Sequence, residues 1–116
     1  MSHESCLFCG IVGGTVPAEV VLETERVLAF RDIDPKAPTH VLVIPKKHVA
    51  SLAAATDDDQ RLLGEVLVAV RDVAHAEGIA ESGFRAVTNT GKNGGQEVYH
   101  LHVHVLGGRT MEWPPG

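Results

Sequence analysis

Cysteine is nearly absent from this chain: two in 116 residues, Cys6 and Cys9, separated by two positions. A disulfide framework is not expected, because a bridge that short closes too small a loop to stabilise much. Long apolar runs are missing too. Charged residues, glycine or proline interrupt every stretch well before the roughly 18 residues a membrane helix needs. There is no excess of basic charge, since 10 Lys and Arg face 15 Asp and Glu for a formal net charge of −5. That balance argues against wrapping a long nucleic acid, which rewards a basic face. It leaves room for one small phosphate ligand, which main-chain N–H groups hold without a cationic side chain. Repeats, low-complexity tracts and linker-like stretches are lacking as well. Met1-Ser2-His3-Glu4-Ser5 shows no basic region followed by an apolar stretch, so no secretory signal is read there and a cytoplasmic address is expected. With 44% hydrophobic residues, the chain is expected to form one domain over residues 1–116 with a real core.

What is present reads as a short series of elements. Residues 5–12 suggest a short helix ending at the Gly13-Gly14 turn. Val20–Glu23 and Val27–Arg31 look like a hairpin, and Pro35 and Pro38 make 32–39 a loop. His40–Ile44 is almost continuous β-type apolar sequence, the pattern of a central strand. In residues 57–77, Leu62, Leu63, Val66, Leu67, Val70, Val73 and Ala74 recur at helical spacing. Thr56 is placed to cap that helix, Asp57, Asp58 and Asp59 suit its positive end, and Gly78 stops it. Phe84–Thr88 and Tyr99–Leu106 read as the last two strands, with the Gly-rich loop Asn89–Gln96 between them. The order β-β-β-α-β-β predicts an α+β fold with an antiparallel sheet of about five strands, one long helix and a short N-terminal helix.

The chemistry concentrates near the C-terminus. His100, His102 and His104 alternate with Leu101, Val103 and Val105. On a strand such alternation puts three imidazoles on one face, roughly 7 Å apart. Two chemistries suit that row. Neighbouring histidines can chelate a catalytic metal, or one imidazole can attack an electrophile while the others position it and carry protons. Gly91, Gly94 and Gly95 lie just before the row and free the backbone to approach an anion. That favours an oxyanion cradled by main-chain N–H groups over a metal cage.

His100-Leu101-His102-Val103-His104-Val105-Leu106 resembles the His-x-His-x-His-x-x signature of the histidine triad superfamily. The resemblance to its purine nucleoside phosphoramidase (Hint-type) branch extends further. It includes Asp32-Ile33, Ala37-Pro38-Thr39-His40, Val43-Ile44-Pro45-Lys46-Lys47-His48, Gly94-Gly95-Gln96, and Gly107-Gly108-Arg109 with the Trp113-Pro114-Pro115-Gly116 tail. The resemblance implies a homodimeric hydrolase of purine nucleoside phosphoramidates acting through a nucleotidyl-histidine. His102 would be the nucleophile, His104 would contact phosphate and leaving group, Asn89 would bond the phosphate, and His40 would join the imidazole network. Backbone groups near Gly95 and Glu97 would cradle the phosphate oxygens, and Gln96 and Val98 would also contact the nucleotide. Asp32 would accept from the ribose, and Leu7, Phe8, Ile11, Ile33 and Leu42 would enclose the base. The alternatives are hydrolysis of dinucleoside polyphosphates, or nucleotide-dependent regulation with little activity.

Glu97 departs from the branch, many of whose members carry serine there. A carboxylate repels a phosphate at close range, so either its side chain turns away or it meets a cationic leaving group such as a lysine amine. Cys6 and Cys9 have the spacing of half a zinc site. The resemblance supplies the other half, His48 and His100, and with them a structural zinc ion. His3 and His75, and the lysines 36, 46 and 47, read as solvated surface residues.

Overall fold

Residues 20–31 close into a hairpin because Thr24 ties its turn: Val27 N–H donates to Thr24 Oγ1 at 3.0 Å, and Thr24 N–H donates to the Val27 carbonyl at 2.8 Å. The computed structural model describes residues 5–116, so the readings of a leader and of His3 lie outside the described residues. The hairpin joins β1 (Val20–Glu23) to β2 (Val27–Arg31). β3 (Thr39–Pro45) pairs with β2 on one side and β5 (Val103–Gly107) on the other, and β4 (Phe84–Val87) borders β5. The sheet order is β1-β2-β3-β5-β4, antiparallel throughout, with the short helix α1 (Leu7–Val12) before it and the long helix α2 (Gln60–Ala76) between β3 and β4. This is the expected α+β architecture.

Side-chain alternation divides the sheet into two faces. Val27, Ala29, Val41, Val43, Val103 and Val105 meet Val66, Ala69, Val70, Val73 and Ala74 of α2 in the larger core. Each buried valine there contributes about 1.5 kcal/mol or more over an exposed one. The opposite face carries Leu28, Phe30, Leu42 and Ile44, covered by Cys6 and Phe8. His40 and His104 lie in phase with Leu42 on β3 and β5, so the same alternation that builds the core puts two imidazoles on the face away from α2.

Two local differences from the sequence reading have clear causes. Asp57–Asp59 form a tight 3-10 turn ahead of α2. The buried Asp59 carboxylate accepts from Thr56 N–H at 3.0 Å and from the Lys47 ammonium at 2.8 Å, which closes a capping box. The last strand begins at Val103, not Tyr99. Leu101 N–H donates to the Val49 carbonyl at 2.7 Å, and Leu101 packs with Val49 and Leu62. That contact draws residues 99–102 off the ladder. Only His104 of the triad lies in regular strand, and the expected single row of three imidazoles gives way to two separate placements.

Candidate active site

A cavity of about 350 Å³ opens on the sheet face away from α2. His102 and His104 border it with His40, Asn89, Gly95 and Glu97, while Phe8, Leu42 and Val98 supply an apolar wall. The His102 and His104 ring centres are 5.0 Å apart. A larger recess of about 740 Å³ lies along the β4 edge and contains Arg85 and Arg109, but among the described residues no histidine or carboxylate borders it.

The hydrogen bonds assign the imidazole protons, because several partners are able only to donate or only to accept. Lys36 N–H donates to His40 Nδ1 at 3.0 Å, so His40 carries its proton on Nε2. His40 Nε2–H then donates to His104 Nδ1 at 2.9 Å, which leaves the His104 proton on Nε2. His102 Nδ1–H donates to the His100 carbonyl at 2.8 Å, and the lone pair of His102 therefore resides on Nε2. Thr88 Oγ1–H holds the His102 carbonyl at 2.9 Å. The Asp32 carboxylate stands 3.5 Å from His40 Nε2 and accepts from Asp34 N–H at 2.8 Å.

Burial pushes the His104 pKa down to about 4, and the neighbouring His102 and His40 add to the depression against the pull of Asp32. Burial also lowers His40, opposed by Asp32. Both rings are neutral near pH 7. An unfolded chain would protonate them from its ordinary value of 6.5 downwards. Their contribution to stability is therefore complete above about pH 6.5 and declines as pH falls below it, for His104 down to about 4. His104→Gln is expected to flatten that decline, measured as the difference between denaturation midpoints at the two pH limits. An unchanged difference would refute the assignment.

The glycine loop is built for close approach. A Cβ on Gly94 would lie 2.3 Å from the Thr90 carbonyl oxygen and 2.9 Å from its nitrogen, and Gly95 has φ of +78°. Gln96 is buried behind this loop: its Oε1 accepts from Gly91 N–H at 3.0 Å, and its Nε2 donates to the Ala50 and Val98 carbonyls at 2.8 and 3.0 Å. Gln96 braces the loop from behind rather than bordering the cavity. Gly94→Ala is expected to cost about 1–3 kcal/mol in denaturation, the scale of overpacking. It should also cost at least about tenfold in kcat/KM, because the loop must shift.

His100 is fully buried and faces away from the cavity. Its Nε2–H donates to the Pro45 carbonyl at 2.8 Å, so its Nδ1 lone pair meets Cys6 Sγ at 3.4 Å and Cys9 Sγ at 3.5 Å. His48 Nδ1 is 3.3 Å from Cys9 Sγ. The four ligand atoms lie within 4.8 Å of one another, close enough to hold one metal ion. Burial and the adjacent Cys6 push the Cys9 thiol up to about 11, a state that a cation between the sulfurs would reverse. Asp32, His40 and His104 also bring ligand atoms within 4.8 Å, but there the nitrogens are spent on the hydrogen-bond chain.

The HIT domain model matches residues 14–111. An HIT-like protein of Synechococcus elongatus is 51% identical over 113 residues, 97% of this chain and 98% of that protein. The chain belongs to the HIT domain family. Among solved structures, a HIT family hydrolase from Legionella pneumophila superposes with a TM-score of 0.94 at 55% identity, covering 97% of this chain and 100% of that one. A histidine triad protein from Clostridium difficile gives 0.92 at 42% identity, covering 97% of each. The fold is thus that of HIT family hydrolases.

Within this HIT domain the structure gathers most of the expected site residues at the cavity: His102, His104, His40, Asn89, Asp32, Gly95, Glu97, Val98, Phe8 and Leu42. Leu7, Ile11 and Ile33 do not border it. Ile33 is 100% exposed, Leu7 is 51% exposed, and Ile11 packs beside the smaller core. Asp34, Lys36 and Thr88 join the site without having been singled out for it. Lys36, read as a solvated lysine, borders the cavity with its ammonium paired to Asp34. No local pattern marks the roles of Lys36 and Thr88, since one acts through its main-chain N–H and the other through a hydroxyl at a strand end.

Proposed function

We propose that this HIT protein hydrolyses purine nucleoside phosphoramidates through a covalent nucleotidyl-histidine on His102. The observation that carries the reading is the hydrogen bond from His102 Nδ1–H to the His100 carbonyl. It turns the Nε2 lone pair into the nucleophile, in a cavity that also holds the glycine loop. His102 Nε2 attacks the α-phosphorus, a nitrogen–phosphorus bond forms, and the bond to the leaving amine breaks. An anionic phosphate beside His104 favours its protonated form. The proton taken up there goes to the departing nitrogen. Water then cleaves the nucleotidyl-histidine and returns its proton to His104, so the cycle balances. Loop N–H groups and Asn89 stabilise the phosphate oxygens. Asp32 accepts from the ribose hydroxyls, and Phe8, Leu42 and Val98 offer the base an apolar wall.

Among the described residues, Asp32, Asp34 and Glu97 outnumber the single Lys36 around the cavity, an electrostatic balance that suits a cationic leaving group such as a lysine amine. Cys6, Cys9, His48 and His100 fit a structural zinc ion, because two thiolates and two imidazoles are the donor set zinc prefers in closed sites. Zinc there would brace the fold and leave His102 outside its coordination. The chain is read as a single histidine triad domain over 1–116 of the Hint-type branch, cytoplasmic and homodimeric, with exposed Leu67 and Val68 of α2 and the Trp113 tail as candidate contact surfaces.

The deciding experiment compares kcat/KM for adenosine and guanosine phosphoramidates with that for dinucleoside polyphosphates, with quenching in alkaline denaturant to trap the acid-labile adduct. Fastest turnover of phosphoramidates with label on His102 supports the reading. Preference for dinucleotides, or absence of the adduct, overturns it.

A further inference from the structure

Residues 99–102 lie outside the sheet ladder, yet the carbonyl that orients the nucleophile belongs to one of them, His100. The Leu101 N–H of the same peptide holds that carbonyl by donating to the Val49 carbonyl at 2.7 Å, and the His100 side chain anchors it from the other side. The His100 ring is fully buried, tied through Nε2–H to Pro45, and presented through Nδ1 to Cys6 and Cys9. A second link runs through Phe8, which lies between the two cysteines on α1. Its ring meets His100 edge-on at 6.0 Å and His102 at 5.2 Å. The metal-binding cluster and the nucleophile thus share one residue of backbone and one aromatic ring.

We infer that the Cys6/Cys9/His48/His100 centre positions the nucleophile: an ion on His100 Nδ1 immobilises the His100 carbonyl and, through it, the His102 ring. His100 is in this sense a positioning residue, with its side chain serving the ion and its main chain serving His102. The inference rests on the nucleophilic role of His102 proposed above. It adds that metal occupancy sets kcat and not merely the folded fraction.

The test uses the full chain and Cys9→Ser, which weakens the centre so that zinc can be titrated. Bound zinc is measured by elemental analysis, folded fraction by circular dichroism, and the His102 tautomer by ¹⁵N NMR of the imidazole. With zinc bound, His102 should show one tautomer, protonated on Nδ1. As zinc is withdrawn, the signals should move towards a tautomer average, and kcat per folded molecule should fall at least about tenfold with KM little changed. A kcat per folded molecule that is constant across occupancy, with unaltered His102 nitrogen signals, would overturn the coupling. So would failure of either protein to bind zinc. Absence of a nucleotidyl-His102 adduct in the loaded wild type would instead overturn the catalytic reading, and the nitrogen spectra would still decide the coupling.

Discussion

His102→Ala is expected to lower kcat/KM at least about a thousandfold while the protein stays folded, the scale on which deletion of a nucleophile acts. The side chain contributes one hydrogen bond, to the His100 carbonyl, and borders a cavity that can admit water in its place. Truncation therefore removes the lone pair proposed to attack without emptying the main core, which lies on the other face of the sheet. His104→Ala should act differently. It removes the proposed proton carrier and phosphate contact but leaves His102 Nε2 in place, so the adduct should still form, slowly. Rapid-quench experiments with labelled nucleotide separate the two variants. Turnover near the wild-type rate in His102→Ala would remove the covalent mechanism.

The second large effect concerns the Cys6/Cys9/His48/His100 cluster, which is close enough to hold a metal ion. Protein purified without added metal is expected to contain about one zinc per chain, as for structural sites whose binding is coupled to folding. The ligands come from three places, α1 and its start, the segment after β3, and the run before β5, and only the fold assembles them. An ion that binds the folded chain alone stabilises it by about 4 kcal/mol at a free concentration about a thousand times Kd. For a domain of this size that corresponds to roughly 15 °C in Tm. Cys6→Ala combined with Cys9→Ala should lose the zinc and most of that increment while keeping residual catalysis, because neither cysteine borders the cavity that His102 lines. A metal-free wild type with unchanged Tm and two freely titrating thiols would mean that the pair is packed core and nothing more.

Much of this molecule is decided by local sequence. The hairpin at 20–31, the central strand ending at Pro45 and the helix after Thr56 follow from alternation, helical spacing and turn residues within a few positions of one another. The His-x-His-x-His run, the glycine loop and the cysteine pair are equally local, which is why the sequence marks the residues of both the site and the cluster. The division of labour among the histidines was not. Alternation reports side-chain direction only where a segment is paired in a ladder, and Val49, far away in sequence, draws residues 99–102 off it. The tautomers depend on groups that pattern cannot place, namely the Lys36 N–H and the carbonyls of Pro45 and His100. Leu7, Ile11 and Ile33 matched Phe8 and Leu42 as apolar candidates for the base, yet only the last two border the cavity. Residue type states what a side chain would bury. Which cavity or core receives it is settled when elements distant in sequence pack, because only then are its neighbours fixed.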